Sequence, residues 1–259
     1  MTADEVGVDL STRITRRWFP FRAESPAAQV RLFCIPHAGA GATAYLSWAR
    51  GLPCHIEVCG VELPGRATRV TEPLHRHTES LVEQLAYAIR PLLDLPYLLH
   101  GHSMGALLAF ETARLLQKTD MAQPAGLVVS GMVGPARWPV RPAVHHLDTP
   151  QLMAHADFLG LPSDIVADEE LLALVLPTLR ADLELTEAYR YRKGPPLRCP
   201  VTVFAGMHDE LTPLSALREW SDVTTDGCTM QVFEGGHFFL HECPNVLNAL
   251  ETVVASTFR

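Results

Sequence analysis

Two kinds of hydrophobic pattern alternate along the chain. Short runs that are apolar at consecutive positions occur at 30–35, 56–61, 97–100, 127–130, 201–204 and 229–233. Several of them have no polar face to offer water, so they predict strands of a parallel sheet buried on both sides. Between them, apolar residues recur every three or four positions. This spacing predicts helices over 78–93, 104–117, 214–220 and 244–257, the last opening on Pro244, a residue suited to a first helical turn. Strand and helix in alternation imply an α/β domain, with a mostly parallel central sheet flanked by helices.

One region breaks the alternation. From 138 to 191 the pattern is helical throughout, entered through a passage that holds Pro135, Pro139, Pro142 and Pro150. The reading is a single α/β domain over 1–259 with 138–191 inserted as a helical lid, and 259 residues suffice to bury the core it needs. The insertion carries more apolar side chains than a thin cap requires, among them Leu152, Met153, Phe158, Leu159, Leu171 and Leu174. Either some of them line a substrate cavity or all pack down onto the sheet.

The strand at 97–100 meets the helix from 104 at Gly101-His102-Ser103-Met104-Gly105. A turn that sharp strains the backbone of its central residue, and only glycine-sized neighbours let the two arms pack so closely. Ser103 therefore reads as a nucleophile at an elbow. The helix aims unpaired N–H groups over it, where they stabilise developing negative charge, so acyl transfer through a serine ester is the leading chemistry.

A serine hydroxyl needs a base to take its proton, and the base needs an acid to orient it. In the expected chain order, Asp209 follows the strand at 201–204 and His237 follows the last strand, just after Gly235-Gly236. Glu210 competes with Asp209; neither periodicity nor spacing excludes it. Of twelve histidines, His237 is the best placed, while His102 should point away from the reacting atoms. A second N–H donor for the oxyanion, beside that of Met104, belongs in the loop after the first strand. There Pro36-His37-Ala38-Gly39-Ala40-Gly41 lets backbone approach substrate, and the Ala38 N–H is the candidate.

Charge and composition then exclude classes. A formal net charge of −8 without a basic stripe argues against nucleic acid as a partner. No stretch approaches the roughly 18 consecutive apolar residues of a membrane span. The acidic start lacks the basic and then apolar profile of a secretory signal, so a cytoplasmic protein is expected. Six cysteines without a close pair at metal-ligand spacing read as buried free thiols, and no metal site is expected.

With these residues assembled, the chain resembles the standalone type II thioesterases that accompany polyketide synthases and nonribosomal peptide synthetases. The resemblance runs from about Trp18 to the C-terminus. Its matching stretches are residues 33–39, Glu62-Leu63-Pro64-Gly65-Arg66, the Ser103 motif, Leu176-Pro177-Thr178-Leu179-Arg180-Ala181-Asp182, Cys199-Pro200-Val201 and residues 235–240. The Leu-Pro-Gly-Arg and Leu-Arg-Ala-Asp segments are not general hydrolase features. The resemblance implies an α/β-hydrolase fold with a helical lid, a triad of Ser103, Asp209 and His237, and oxyanion donors at Ala38 and Met104. It implies no cofactor of the enzyme's own, because the substrate arrives on the phosphopantetheine arm of an acyl or peptidyl carrier domain. The implied task is hydrolysis of aberrant, stalled or mis-loaded acyl and aminoacyl thioesters. Two positions depart from the family: Ala40 stands where a second consecutive glycine is frequent, and Met207 where an additional aspartate is frequent.

Carrier domains of such synthases are generally acidic, which draws attention to Arg13, Arg16, Arg17 and Arg22, and to Arg190, Arg192 and Lys193. Ordinary solvated charge is the competing account of these residues. Nothing in the sequence demands more than a monomer. The triad by itself does not separate a thioesterase from a general carboxylesterase or acyltransferase of the same fold, and a non-catalytic protein that docks on a synthase is the alternative of another class.

Overall fold

The computed structural model describes residues 3–22, 24–119, 121–139, 141–155 and 159–258, with backbone alone over 3–10. Six strands, β1 (Val30–Ile35), β2 (Ile56–Gly60), β3 (Tyr97–His102), β4 (Gly126–Ser130), β5 (Val201–Gly206) and β6 (Cys228–Phe233), pair in parallel in the order β2-β1-β3-β4-β5-β6. Every residue of β1 to β5 is buried, as an unbroken apolar run requires. β6 lies at an edge and alternates toward solvent. Strand order reverses at β1, so the carboxyl ends of β1 and β3 open a crevice between neighbouring loops, the usual place for a site in such sheets.

Helices α1 (Ala3–Trp18), α2 (Leu46–Gly51), α3 (Thr78–Ile89), α4 (Met104–Lys118), α5 (Thr149–Met153), α6 (Ser163–Ala167), α7 (Glu169–Ala188), α8 (Leu214–Leu217), α9 (Phe239–Glu242) and α10 (Asn245–Thr257) complete the described elements. α3 and α4 cover one face of the sheet, and α2 and α10 the other. The helix expected over 78–93 tightens into a 3-10 turn at Arg90–Leu92, where Pro91 offers no N–H to continue the α ladder.

α1 has no counterpart among the elements read from the pattern. Among its described side chains, Ile14 and Trp18 pack against the core. Trp18 and Phe19 enter the core beside α3, and the Arg69 guanidinium lies 4.1 Å over the Trp18 ring.

The insertion between β4 and β5 holds α5, α6 and α7. Asp168 caps α7 by accepting the Glu170 and Leu171 N–H groups. α7 divides at Pro177. Before it most residues are exposed; from Thr178 to Glu187 all but Arg180 and Glu184 are buried. Leu152, Leu159, Leu179 and Leu183 form a small core of the insertion's own, whereas Leu171 and Leu174 face solvent. Most of the apolar excess is thus spent on packing within the insertion or left at its surface. Phe158 lies outside the described residues. No helix among the described residues is long and apolar enough to cross a membrane.

Candidate active site

Ser103 sits between β3 and α4 with φ 53° and ψ −119°, a backbone conformation that non-glycine residues rarely hold. Its own N–H donates to Ser130 O at 2.8 Å, extending the β3–β4 register by one residue. The neighbouring glycines are there for contact rather than for φ. A Cβ on Gly101 would stand 2.0 Å from Gly105 O, and one on Gly105 would stand 2.1 Å from Ile35 O and 2.8 Å from Pro36 O. Gly105 thereby lets the start of α4 rest against the end of β1, which brings the Met104 and Ala38 regions to one place. Met104 is the first helical residue, so its N–H is one of the donors a helix leaves free. The Ala38 N–H donates to no described acceptor.

Asp209 and His237 come from loops after β5 and β6 that are laced together. Met207 N–H donates to Phe233 O at 2.8 Å and His208 N–H to Gly235 O at 3.0 Å. A Cβ on Gly206 would lie 2.4 Å from Gly236 O, so only glycine allows that approach. The result is a hydrogen bond of 2.9 Å between His237 Nδ1 and Asp209 Oδ2. Asp209 also accepts the Leu211 N–H at 2.9 Å and the Thr212 hydroxyl at 2.5 Å. Burial alone would push this carboxyl up; the bond and charge of His237, with those from Thr212 and Leu211, hold it below the ordinary carboxylate range. Glu210, the competitor, is exposed.

His102 does not line the cavity that holds Ser103 and His237, but it packs beside the His237 ring. Its ring is buried, shares a 3.0 Å contact between Nδ1 and Ser130 Oγ, and lies 5.0 Å from the His237 ring centroid. Burial first, then the like charge of His237, keeps its pKa well below the usual histidine value, and His37 is pushed down to about 3 in the same way. Gly131, with φ 60°, passes so close that a Cβ there would meet the His102 ring at 2.4 Å and the His237 ring at 3.0 Å. Gly131, Gly206 and Thr212 were not legible as site residues, because each acts only through a contact made across loops.

Ser103, His237 and Ala38 line one cavity of about 40 Å³, roofed by Trp138, Leu159 and Leu183. Of the insertion residues expected to line a substrate cavity, Leu159 does; Leu183 and Trp138 join it unforeseen. Ala40 causes no strain, since Gly39 carries the positive φ of this turn, 80°, and Met207 is exposed. The described cysteines are all free; Cys34, Cys59 and Cys199 are buried, Cys228 and Cys243 are half-buried and Cys54 is exposed. Among the described residues no group of three or more His, Cys, Asp or Glu is arranged to hold a metal ion.

The thioesterase domain family matches residues 30–254, nearly the whole sheet and both of its faces. The chain belongs to the thioesterase family and has its α/β-hydrolase fold. It is 38% identical over 244 residues to thioesterase PikA5 of Streptomyces venezuelae, covering 93% of this chain and 85% of that one. It is 37% identical over 227 residues to the gramicidin S biosynthesis protein GrsT of Aneurinibacillus migulanus, covering 87% and 89%. Its structure matches that of the type II thioesterase BorB from the borrelidin biosynthetic cluster with a TM-score of 0.82 at 36% identity, over 94% of this chain and 97% of that one.

Proposed function

We propose that the protein is a type II thioesterase that hydrolyses aberrant, stalled or mis-loaded acyl and aminoacyl thioesters on the phosphopantetheine arms of carrier domains. The observation that carries the reading is the buried Asp209–His237 pair facing the same cavity as a strained Ser103. Asp209 accepts a hydrogen bond from the Nδ1–H of His237, which fixes that tautomer and leaves Nε2 free to accept a proton from Ser103 Oγ as that oxygen bonds to the thioester carbonyl carbon. The Ala38 and Met104 N–H groups hold the oxyanion. The C–S bond then breaks and the thiolate leaves with the proton from His237, a departure that needs less assistance than that of an alkoxide or amine. Water, deprotonated by His237, attacks the acyl-serine and frees the acid. Burial holds the pKa values of His102 and His37 down, which disfavours further positive charge beside this centre.

The insertion borders the cavity over Ser103 through Trp138, Leu159 and Leu183, which gives it the role of a lid. For the carrier, the arginines divide. Arg17 and Arg22 are taken up in ion pairs with Glu72 and Glu57. Arg190 and Arg192 border a separate groove of about 500 Å³ together with Lys118, Arg198 and the Arg114–Glu111 ion pair, with Glu79 and Glu83 on its rim.

The test is hydrolysis of one acyl group presented as a carrier-protein thioester, a small thioester and an oxygen ester, by the parent enzyme and by Ser103→Ala. Preference for the carrier-bound thioester, abolished in the variant, is expected. Preference for the oxygen ester would move the protein to the general esterases.

A further inference from the structure

Two segments have no role so far: Leu63-Pro64-Gly65-Arg66 and Leu179-Arg180-Ala181-Asp182. They are distant in sequence and meet in the fold. Arg66 donates from both terminal nitrogens to the two carboxylate oxygens of Asp182, each at 2.8 Å, and the side chains are only 7% and 3% exposed. The same two groups grip the turn that carries Ala38. The Gly39 N–H donates to Asp182 Oδ2 at 2.8 Å, and Arg66 Nη1 donates to Ala40 O at 2.8 Å. Glu62, just before the first segment, accepts the Ala42 N–H at 3.1 Å.

Stability alone is a poor reason for such a pair. Desolvation of two buried charges offsets most of their attraction, and apolar side chains of equal volume often stabilise as well. Apolar side chains cannot, however, fix the orientation of peptide units. The peptide joining residues 38 and 39 is fixed by Asp182, and the one joining 40 and 41 by Arg66. The peptide joining 37 and 38 is fixed by its own carbonyl, since His37 O accepts the Ala40 N–H at 3.1 Å. In a trans peptide the N–H points opposite to the carbonyl, so the Ala38 N–H is turned outward, away from the turn.

We propose that Arg66 and Asp182 are positioning residues of the oxyanion hole, holding the turn 37–41 so that the Ala38 N–H is aimed before charge develops on the substrate. The proposal rests on the reading of Ala38 as a donor. A donor stabilises a transition state in full only if no reorganisation is needed at that moment. The pair therefore acts on the chemical step and leaves ground-state binding alone.

The experiment uses the full-length protein with Asp182→Asn, Arg66→Lys, Ala38→Pro and Thr178→Val. Two ligands are compared: an acyl trifluoromethyl ketone, whose serine adduct places an oxyanion in the hole, and a thioether analogue that cannot be attacked. Asp182→Asn and Arg66→Lys are expected to lower kcat about 100-fold, the cost of misplacing a group by about 1 Å, with KM within about threefold. Inhibition by the ketone should weaken by the same factor while the thioether binds as before. Thr178→Val removes a hydroxyl that donates to Gly65 O at 2.7 Å without touching the turn, so it should lower the unfolding midpoint and spare both kcat and the ketone. Ala38→Pro deletes the donor itself. If it keeps ketone affinity, the donor reading fails; if it loses affinity while Asp182→Asn and Arg66→Lys keep it, the positioning proposal alone fails. Parallel loss of both ligands in proportion to unfolded protein would make the pair structural and overturn the proposal. Should the variants not fold, hydrogen exchange in the parent protein decides: a protected Gly39 amide is expected, and rapid exchange there would overturn the pinning.

Discussion

Lowering the pH from 7 to 5.5 should cost this protein about 2–3 kcal/mol of stability through two buried histidines. His100 and His102 are 0% and 1% exposed, and three of their four ring nitrogens have no hydrogen-bond partner. His100 is wedged against Trp48 and Tyr45, with ring centroids at 4.8 and 5.6 Å. Burial foremost, and the like charge of nearby histidines next, pushes His100 down to about 3 and His102 well below its ordinary value. In the unfolded chain both titrate near 6.5. At pH 5.5 the unfolded state therefore binds about two protons that the folded state refuses, and stability must fall as pH falls. Each histidine supplies about half of the total. His37, pushed down to about 3 as well, adds in the same direction. Glu62, whose carboxyl is raised by burial, works in the opposite sense. The assay is urea unfolding at both pH values for the parent and for His100→Phe, which keeps a ring between Tyr45 and Trp48. The variant should lose about 1 kcal/mol of the pH effect on ΔG. A parent protein whose stability is unchanged to within about 1 kcal/mol, or a variant with an undiminished effect, would refute the reasoning.

Asp209→Asn should leave the fold intact and lower kcat by about 10³–10⁴-fold, read from thioester hydrolysis. Because Asp209 is held below the ordinary carboxylate range, its ionisation is lost only as pH falls through that lowered value, so it contributes no acid limb above about pH 5, and Glu210→Gln should leave the pH profile of hydrolysis unchanged. Gly105→Ala sets a methyl against the backbone oxygens of Ile35 and Pro36, neither of which can rotate away, and should cost at least about 2 kcal/mol in urea unfolding. Gly131→Ala pushes on the His102 and His237 rings, so kcat should fall by more than the loss of folded protein explains. Reversing charge at Lys118 and Arg192 should raise KM for carrier-bound substrate and not for a small thioester; equal effects on both would remove the groove from carrier recognition.

Local pattern settled the sheet and its most strained turn. A parallel strand buried on both faces must be apolar throughout, so β1 to β5 announce themselves, and a serine between two glycines at a strand-to-helix junction has few other conformations to adopt. Spacing also carried Asp209 and His237 to the right edge of the sheet, because loops after parallel strands emerge together. It did not choose between Asp209 and Glu210, adjacent residues with the same chemistry. In the fold, where Gly206 lets the two loops lie against each other, Asp209 is buried and bonded to His237 while Glu210 stays in solvent. The packing of Trp18 at the end of α1, and of Phe19 after it, was invisible because both find a surface built by distant segments. The partnership of Arg66 with Asp182 was equally out of reach. Both motifs were readable as words, yet a bidentate pair across more than a hundred residues exists only once α7 has folded down over the turn that carries Ala38. Sequence periodicity reports which face of an element is buried; which buried groups meet is decided by packing alone.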